Sequence, residues 1–567
     1  MQTGKLIAFA CSATLVACGG GGGGGGGSSL DTTGNTGSAS TGTASPGSAT
    51  SSGTSTAGNS TSLATVINDP LFSRQWHLKN SGQEGSTAGI DINVQPVWQA
   101  GISGAGVQVA VIDDGVDTFH EDLLGNILLA SSLNMAANGK AGWDPTPASS
   151  SDDHGTSVAG LIAARANSLG GRGVAYDAKL LGINLLAASS SDSNDATALL
   201  HGKAAIAVSN NSWGNPDSDN ELGYSGPLAK AAITQGASSE RAGKGIVYLF
   251  AAGNGATQFQ SDSSVLQTGQ RSGYDSFNNT PYALNIAAIQ ADGTPSAYSE
   301  PGANVLVGAP SDSINPALPG LYTTTVSLAR LNTLYRGQPW LYPNYRPDFG
   351  GTSGATPVAA GVVALMLQAN PALSWRDVRW ILASTAKAVS NATETGPAAI
   401  GHGVYSHKAG FGLIDANAAV AMARQHTALP AMKTCTLTLA STLQSPDSHG
   451  RLQLSASSGN CSIGTLESAD VSLQLNQQGN PDPVAQLAIQ LDSPNARSSI
   501  LATPHHCYTK TSQGDFLTTT CSKTYSDWSF HSVRHLGENP AGKWTLTLSG
   551  LLASDTLSAS QLVLRGF

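Results

Sequence analysis

Residues 350–357, Gly-Gly-Thr-Ser-Gly-Ala-Thr-Pro, place one serine, Ser353, among small residues directly before the apolar run 358–367. This pattern predicts a buried helix that carries Ser353 in its first turn. The backbone N–H groups there have no intrahelical partner, so they can stabilise a negative oxygen that develops on a substrate carbonyl. In an isolated Gly-Thr-Ser, simple capping of the helix is the commoner role of the serine, so other segments must decide.

Two upstream segments carry the other groups that catalysis by a serine hydroxyl requires. Residues 107–112, Val-Gln-Val-Ala-Val-Ile, predict a buried strand that ends at Asp113 and Asp114. Acids at the carboxyl end of such a strand lie at the rim of a sheet, where α/β sites form. His154 stands in Asp-Asp-His-Gly-Thr-Ser, at the start of a second apolar run. Asp, His and Ser in this chain order make one of the known arrangements of a nucleophile triad.

The chain resembles the subtilisin-like serine proteases, and within them the kexin and furin branch, the proprotein convertases. The resemblance covers residues 66–567. Besides the three segments above, it rests on shorter motifs: Asp69-Pro70-Leu71-Phe72 with Gln75-Trp76, Gly173-Val174-Ala175-Tyr176, Ser212-Trp213-Gly214, Ala252-Gly253-Asn254-Gly255, Tyr298-Ser299-Glu300 and Leu373-Ser374-Trp375-Arg376-Asp377. It implies a serine endopeptidase that hydrolyses peptide bonds through an acyl-enzyme.

The resemblance also implies a role for each residue of the catalytic site. Ser353 Oγ is the nucleophile, and His154 takes its proton and returns it to the leaving amine. Asp113 holds the imidazole tautomer and stabilises the imidazolium. Asn254, in a Gly-Asn-Gly turn after the strand 246–251, donates its side-chain amide to the oxyanion together with the Ser353 N–H. Taken alone, Asn254 would be interpreted as an ordinary turn residue.

Substrate contacts are expected from Ser212, Trp213 and Gly214, and the kexin resemblance implies cleavage after basic residues. A buried guanidinium requires paired acids, of which Asp217 would supply one in the first subsite. Asp114 and Asp152 would make the side of the second subsite acidic. The partner of Asp217 falls at Ser272 or is displaced to Asp275. An ordinary solvated acidic rim remains the alternative.

Calcium is the cofactor that the resemblance implies. A structural site is expected from the side chains of Asp69, Asp122 and Asn167 with carbonyl oxygens, which are those of Ala164, Leu169 and Gly171. Carboxylates and neutral oxygens suit a hard cation, although both aspartates would also serve as turn caps. Glu300 matches a carboxylate of a second site, to which Asp262 is a possible contributor.

Residues 1–17 predict a signal peptide, because one Lys precedes an apolar run too short to span a bilayer as a helix. Leu15-Val16-Ala17-Cys18 resembles a bacterial lipobox, which implies lipidation of Cys18, membrane attachment and sorting to the outer membrane or release; a plain secretory signal is the alternative. Residues 18–64 are mainly Gly, Ser, Thr and Ala and predict a flexible tether. No segment between residues 19 and 64 is expected to fold as the prodomain that relatives usually carry, so either folding is unassisted or a separate chaperone or inhibitor is a partner.

Residues 65–425 alternate β-branched apolar runs with helical runs, which predicts a mostly parallel α/β sheet with helices on both faces, as in subtilisin-like folds. The expected helices are 159–166, 227–235, 357–369 and 375–383. Residues 426–567 show alternating apolar positions separated by Gly, Asn and Pro, which predicts an all-β, jelly-roll-like sandwich. Its motifs, such as 537–544, resemble the P domain of kexins, and its aromatic residues are expected in the core rather than on a binding surface.

Four cysteines follow the N-terminal region, an even number that suits an oxidising compartment. Three pairings are possible by counting, and proximity in the chain favours Cys435–Cys461 with Cys507–Cys521. A zinc site of Cys507 with His505 and His506 fits no common spacing. A net charge of -9, with 11% charged residues, argues against nucleic acid as a partner.

The residues leave three functions to compare. The first is an active serine endopeptidase acting on polypeptides. The second is a catalytically inactive homologue that serves as a surface binding lipoprotein. The third, a lipase or esterase of the α/β-hydrolase fold, requires Gly-x-Ser-x-Gly with the nucleophile first in the chain, whereas Ser353 comes last and stands in Gly-Thr-Ser-Gly-Ala. The endopeptidase is favoured because every group that catalysis needs is present.

Overall fold

A computed structural model describes residues 67–136, 143–147, 149, 151–217, 219–327, 344–441, 445–477, 482 and 484–567. The predicted signal peptide, Cys18 and the tether lie outside these residues. Everything described below belongs to one unit of the chain, residues 62–567.

A parallel sheet of seven strands organises the first part of this unit. The strands of the region are β1 (Gln108–Asp113), β2 (Leu133–Asn134), β3 (Lys179–Asn184), β4 (Val208–Asn211), β5 (Val247–Ala251), β6 (Thr257–Phe259), β7 (Val265–Gln267), β8 (Ala283–Ile289), β9 (Val305–Pro310), β10 (Leu321–Thr324), β11 (Tyr345–Phe349), β12 (Thr395–Pro397) and β13 (Val404–Ser406). The order in the sheet is β2-β3-β1-β4-β5-β8-β9, and all six pairings are parallel. Nearly every residue of its six longer strands is buried, because helices and loops cover both faces.

The α-helices of the region are α1 (Gln95–Gln99), α2 (His154–Ala163), α3 (Asp192–Leu200), α4 (Pro227–Ser239), α5 (Gly351–Ala369), α6 (Trp375–Thr385) and α7 (Ala416–Gln425). Short 3-10 helices lie at Phe72–Arg74, Gln83–Gly85, Leu129–Ser131, Arg241–Gly243 and Ser272–Tyr274. Helices α2 and α5 begin at His154 and Gly351, before the expected runs 159–166 and 357–369, and α5 carries Ser353 in its first turn as expected. Among the described residues, α5 is long and apolar enough to cross a membrane, but 83% of it is buried in the protein, as in the core helix of a globular domain.

The second part of the unit is the predicted sandwich. Its strands are β14 (Lys433–Thr438), β15 (Arg451–Ser457), β16 (Leu466–Asn476), β17 (Ala488–Asp492), β18 (Ser498–Ala502), β19 (Cys507–Lys510), β20 (Phe516–Thr519), β21 (Ser526–Ser532), β22 (Lys543–Ser549) and β23 (Thr556–Gly566). Two antiparallel sheets of four strands, β14-β23-β16-β21 and β15-β22-β17-β18, enclose the core. Trp528, Phe530 and Trp544 are buried in it, as expected.

Both favoured disulfides form, Cys435–Cys461 and Cys507–Cys521. The second uses the thiol that the zinc alternative needed, and the adjacent histidines bond elsewhere: His505 to the carbonyl of Thr503 and His506 to Asp482. The mostly parallel sheet and the antiparallel sandwich confirm the predicted fold class. The domain boundary at residue 425 stays a prediction, although α7 ends there and β14 begins at Lys433.

Candidate active site

The predicted catalytic residues lie at the carboxyl edge of the parallel sheet. Asp113 is the last residue of β1, and Asn254 follows the end of β5 by three residues. His154 is the first residue of α2 and Ser353 is the third of α5, two helices that pack against each other. The carboxyl ends of parallel strands and the amino ends of the following helices meet at one edge, so residues 240 positions apart come together.

Asp113 and His154 form the first link of the expected triad. Asp113 is fully buried, and its Oδ1 accepts hydrogen bonds from His154 Nδ1 at 2.8 Å and from Asp114 N at 2.9 Å. The carboxylate therefore holds the proton on Nδ1 and leaves Nε2 as the basic atom. The side chain of His154 is 32% exposed, so a substrate can reach it.

The second link differs from the expectation. Ser353 Oγ donates to the carbonyl oxygen of Ser212 at 3.1 Å, and among the described residues no hydrogen bond joins it to the His154 imidazole. In return, Ser212 Oγ donates to the Ser353 carbonyl at 3.1 Å. That carbonyl has no helical donor because the residue four positions on, Pro357, lacks an N–H. Proline thus frees the acceptor that joins Ser212, a predicted substrate contact, to the nucleophile.

Two of the first three N–H groups of α5 have partners, and the third is the candidate oxyanion donor. Gly351 N donates to Asp312 Oδ1 and Thr352 N donates to Asn254 Oδ1, both at 2.8 Å. Ser353 N has no partner among the described residues. A backbone donor that is oriented by the helix and still unpaired is what a developing oxyanion requires.

Asn254 is oriented by the same helix end. Its Oδ1 accepts from Thr352 N at 2.8 Å and from Thr352 Oγ1 at 2.9 Å. Because a backbone N–H can bond only to the oxygen of an amide, this contact fixes which end of the side chain carries the NH₂ group. The sequence did not reveal Thr352 or Asp312 as supporting residues; Thr352 at least stands inside the recognised motif.

Glu300 is hydrogen-bonded to the residues on both sides of Asn254. It is 2% exposed, its Oε1 accepts from Gly255 N at 2.9 Å, and its own N donates to Gly253 O at 3.1 Å. Gly253 has φ of 108°, and a Cβ there would lie 2.4 Å from the Glu300 carboxyl carbon. Only glycine fits this position, because both the backbone conformation and the close carboxylate exclude a side chain.

Asp114 does not project freely into a second subsite. Its carboxylate caps α2, accepting from His154 N at 3.1 Å and from Gly155 N at 2.7 Å. Burial and the neighbouring Asp113 raise the pKa of Asp114 well above its ordinary value. For His154, burial opposes the charged form, but Asp113, Asp114 and Asp153 outweigh it and raise the pKa to about 9.

This shift predicts an alkaline pH profile. His154 can take the Ser353 proton only when it is neutral, so kcat/KM should be lost as the pH falls through a pKa between 6.5 and about 9. The D114N variant removes one negative charge and should move the acidic limb of the profile to lower pH. The exposed substitution D447N serves as the control and should leave it unchanged. A limb at or below pH 6.5 in the unaltered protein would contradict the prediction.

The predicted substrate residues have well-defined packing contacts. Trp213 packs edge-on between Phe250 and Phe277, with ring centroids 5.8 and 5.0 Å apart, and Gly214 lies against Asp275. Asp217 Oδ2 accepts from Asn254 N at 2.9 Å.

Asp217 also has acidic neighbours. Burial raises its pKa to about 6, opposed by the Asn254 hydrogen bond and reinforced by Asp275. Burial and Asp217 raise the pKa of Glu300 as well. Of the two residues expected as the partner of Asp217, Ser272 is buried and its hydroxyl accepts from Asn278 and Asn304. Asp275 is the one that places a second carboxylate near Asp217.

The expected first calcium set is only partly suited to a cation. Asp122 is buried, its Oδ1 has no hydrogen-bond partner, and burial raises its pKa to about 8, as expected for a carboxylate that needs a positive charge. Asp69, in contrast, is already neutralised: its Oδ2 lies 2.6 Å from Nε and Nη2 of the buried Arg172, and its Oδ1 accepts two backbone N–H groups.

Two other oxygens of this set, those of Asn167 and Ala164, accept hydrogen bonds within the loop. Asn167 Oδ1 accepts from Leu169 N, Ala164 O accepts from Gly173 N, and Gly171 N donates to Asp122. Asp262, considered for the second set, lies at the exposed turn between β6 and β7 and bonds to Ser264, while Glu300 is buried. Within the described residues, no group of three or more His, Cys, Asp or Glu side chains is arranged to hold a metal.

A second Ser-His-acid array lies in the sandwich. Ser499 Oγ and His535 Nε2 are 2.9 Å apart, and His535 Nδ1 is 2.9 Å from Glu538 Oε1. All three are buried, with exposures of 0%, 0% and 2%. Hydrogen-bond order therefore does not identify the active site in this protein. Access and free oxyanion donors do, and both point to Ser353.

Comparison with known families agrees with this geometry. Residues 104–412, more than half of the chain, match the model described as the Subtilase family. The chain belongs to the Subtilase family. Residues 468–561 match the proprotein convertase P-domain, so this subtilase joins a catalytic-type domain to a P-domain as predicted.

Curated relatives of this subtilase include known endoproteases. It is 32% identical over 493 residues to PC3-like endoprotease variant B of Hydra vulgaris, covering 85% of this chain and 64% of that protein. It is 31% identical to kexin of Saccharomyces cerevisiae, covering 85% and 54%, and 30% identical to human furin, covering 88% and 58%. The chain thus spans 54% to 64% of the length of these relatives.

Solved structures give the same assignment. The serine protease of Aeromonas sobria superposes with a TM-score of 0.73 at 26% identity, covering 90% of this chain and 97% of that one. A second structure shows that protease in complex with a chaperone and superposes with a TM-score of 0.72, covering 88% and 95%.

Proposed function

We propose that this subtilase is a serine endopeptidase that cuts polypeptides after basic residues. The observation that carries the proposal is the convergence of the Asp113–His154 pair, the partly exposed Ser353 and the unpaired Ser353 N–H at one edge of the sheet. Each of these groups serves one step of acyl transfer, and capping of a helix by Ser353 alone would require none of the others.

The reaction follows from these positions. When a peptide carbonyl approaches, Ser353 Oγ leaves the Ser212 carbonyl and turns to His154 Nε2, since catalytic hydrogen bonds often tighten only in the substrate complex. The oxygen attacks the carbonyl carbon as His154 takes the proton, and Ser353 N and Asn254 Nδ2 receive the oxyanion. His154⁺ then protonates the leaving amine, and water hydrolyses the acyl-enzyme by the reverse sequence.

The basic preference rests on charge. Burial raises the pKa of Asp217 and of Asp275, and among the described residues no Lys or Arg side chain offsets this for either carboxylate. A guanidinium or ammonium group of the substrate would neutralise both and recover the cost of burying them. The Ser212-Trp213-Gly214 segment is suited to bind the substrate backbone beside this pocket.

Cleavage of a peptide library tests this preference. We expect Lys or Arg before the cut, and D217N should reduce kcat/KM for an Arg substrate by about tenfold or more while affecting a Leu substrate less. The solvated-rim alternative predicts equal effects on both substrates. D262N, at the exposed turn of the neighbouring hairpin, is the control, and an apolar preference in the unaltered enzyme would overturn the basic pocket.

Calcium and a folding partner are further parts of the proposal. Asp122, Asn167 and the loop carbonyls would hold calcium, and the cation would supply the positive charge that the Asp122 carboxylate lacks. Chelation should therefore lower the Tm, and D122N should remove that effect.

A chaperone accompanies the Aeromonas sobria protease, and a comparable partner is proposed here. Attachment to the cell envelope through lipidated Cys18 is also proposed, and it fails if C18S leaves the protein in the membrane fraction.

A further inference from the structure

One segment of the P-domain contacts the wall of the substrate pocket. We call residues 505–523 the clamp segment; it contains the β19–β20 hairpin, which the Cys507–Cys521 disulfide closes. Tyr508 N donates to Asp219 O at 2.8 Å. The Glu221 carboxylate accepts Ser522 N at 2.5 Å and Lys523 N at 3.2 Å. Both ends of the hairpin therefore hold the chain that directly follows Asp217.

Asn220 fastens this contact from the catalytic side. It is 1% exposed and has φ of 57°, a conformation that asparagine tolerates better than most residues. Its Nδ2 donates to Thr268 O at 2.9 Å and to His506 O at 2.7 Å. Both N–H donors of one amide are thus used to join three segments: the pocket wall, the end of the β6–β7 hairpin and the clamp segment.

The clamp segment also contacts Tyr274, the residue that precedes the other acid of the pocket. His505 stacks on Tyr274, with ring centroids 4.6 Å apart and an angle of 28° between the planes. The Tyr274 hydroxyl bonds to the main chain of Thr503 at 3.1 Å. Asp275 follows Tyr274 directly, and its two carboxylate oxygens accept from Asn215 N and Nδ2.

These contacts lead to the catalytic groups in few steps. Asp219 is two residues after Asp217, whose carboxylate holds the backbone of Asn254 at 2.9 Å. Gln258 Nε2 also donates to Asp217 O, at 3.4 Å, and its neighbour Gln260 accepts from Phe516 N in β20 at 2.7 Å. A shift of the clamp segment would therefore move Asp217 and Asp275, and a displacement of about 1 Å at a reacting site is enough to reduce a rate strongly.

We propose that the clamp segment positions the acidic wall of the substrate pocket, with Asn220 and Glu221 as positioning residues. The P-domain of this subtilase then contributes to the choice of substrate as well as to stability. The inference rests on the proposed endopeptidase function. It predicts that loss of the clamp changes selectivity between substrates, which a purely stabilising contact would not do.

The test compares N220G with a control at the far side of the same domain interface. Glycine tolerates the positive φ, so the variant removes the two hydrogen bonds without backbone strain. The control is R376M, which breaks a contact of 3.0 Å between Arg376 Nε and the Glu467 carboxylate. Arg376 follows Trp375, whose N–H bonds to Lys244 O just before β5, so this contact lies at the amino edge of the sheet.

The measured quantity is the ratio of kcat/KM for an Arg substrate to that for a Leu substrate. N220G should lower this ratio by about tenfold, whereas R376M should lower the Tm and leave the ratio within about twofold. E221A should act as N220G does, and E221Q, which keeps an acceptor for Ser522 N, should restore the ratio. Equal ratios in N220G, E221A and R376M, with only the Tm reduced, would overturn the inference.

Failure of the proposed function gives a different result. If the unaltered protein hydrolyses no peptide, the endopeptidase proposal fails, and the pocket is then tested by the rise in Tm that benzamidine, an amidinium ligand, causes on binding. A smaller rise in N220G than in R376M supports the clamp, and equal rises overturn it. If the enzyme prefers an apolar residue, the same comparison of variants is made on that preference.

Discussion

S353A is expected to lower kcat by about 10⁴- to 10⁶-fold, because it removes the only atom that forms the acyl bond in the proposed reaction. H154A should cost nearly as much, and the double variant no more than either, since the two side chains act as one unit. Initial rates on a peptide substrate measure the loss. A serine-directed phosphonate measures the same nucleophile directly and should label Ser353 in the unaltered protein but not in H154A.

The buried array in the P-domain provides the matched control. S499A changes a serine with the same kind of histidine and acid partners, and it should retain phosphonate labelling and rate while lowering the Tm, because His535 loses a buried partner. If S353A keeps a rate within tenfold of the unaltered enzyme, Ser353 is not the nucleophile. If the unaltered protein neither turns over peptides nor takes the phosphonate, the inactive binding lipoprotein becomes the better explanation.

N254A is expected to lower kcat by about 10²- to 10³-fold with little change in KM, equivalent to about 3–4 kcal/mol of transition-state stabilisation. The reason is geometric: Thr352 fixes Oδ1 of this amide, so its NH₂ group is the end that can reach a developing oxyanion. A ground-state carbonyl carries less charge than the oxyanion, so substrate binding should suffer much less than turnover.

Two related variants show whether the donor itself matters. N254D keeps an oxygen that can accept from Thr352 but loses the NH₂ donor, so its kcat should fall at least as far as that of N254A. T352S keeps both the N–H and the hydroxyl that orient Asn254, so its kcat should stay close to that of the unaltered enzyme. A fall in N254D that appears in KM instead of kcat would contradict the role of Asn254 as an oxyanion donor.

Sequence reasoning could identify the residues of the site because each stands in a local pattern. Asp113 ends an apolar strand, while His154 and Ser353 begin apolar helices, and the parallel sheet that follows from such alternation brings these ends to one edge. Helix starts were less predictable. The apolar runs begin later than α2 and α5 do, because the first turns of both helices consist of small and polar residues that belong to the site.

What the sequence by itself determined is therefore the family, the order of a helix-covered parallel sheet followed by a β-sandwich, and which serine, histidine, aspartate and asparagine could form the site. The tertiary structure alone decided their partners: Ser353 at the Ser212 carbonyl, Asp114 as the cap of α2, Asp69 paired with Arg172, and Glu300 beneath the Asn254 turn. Periodicity encodes burial and the ends of elements over a few residues, but these hydrogen bonds join residues 41 to 141 positions apart, so they depend on how loops pack, and no local pattern records that.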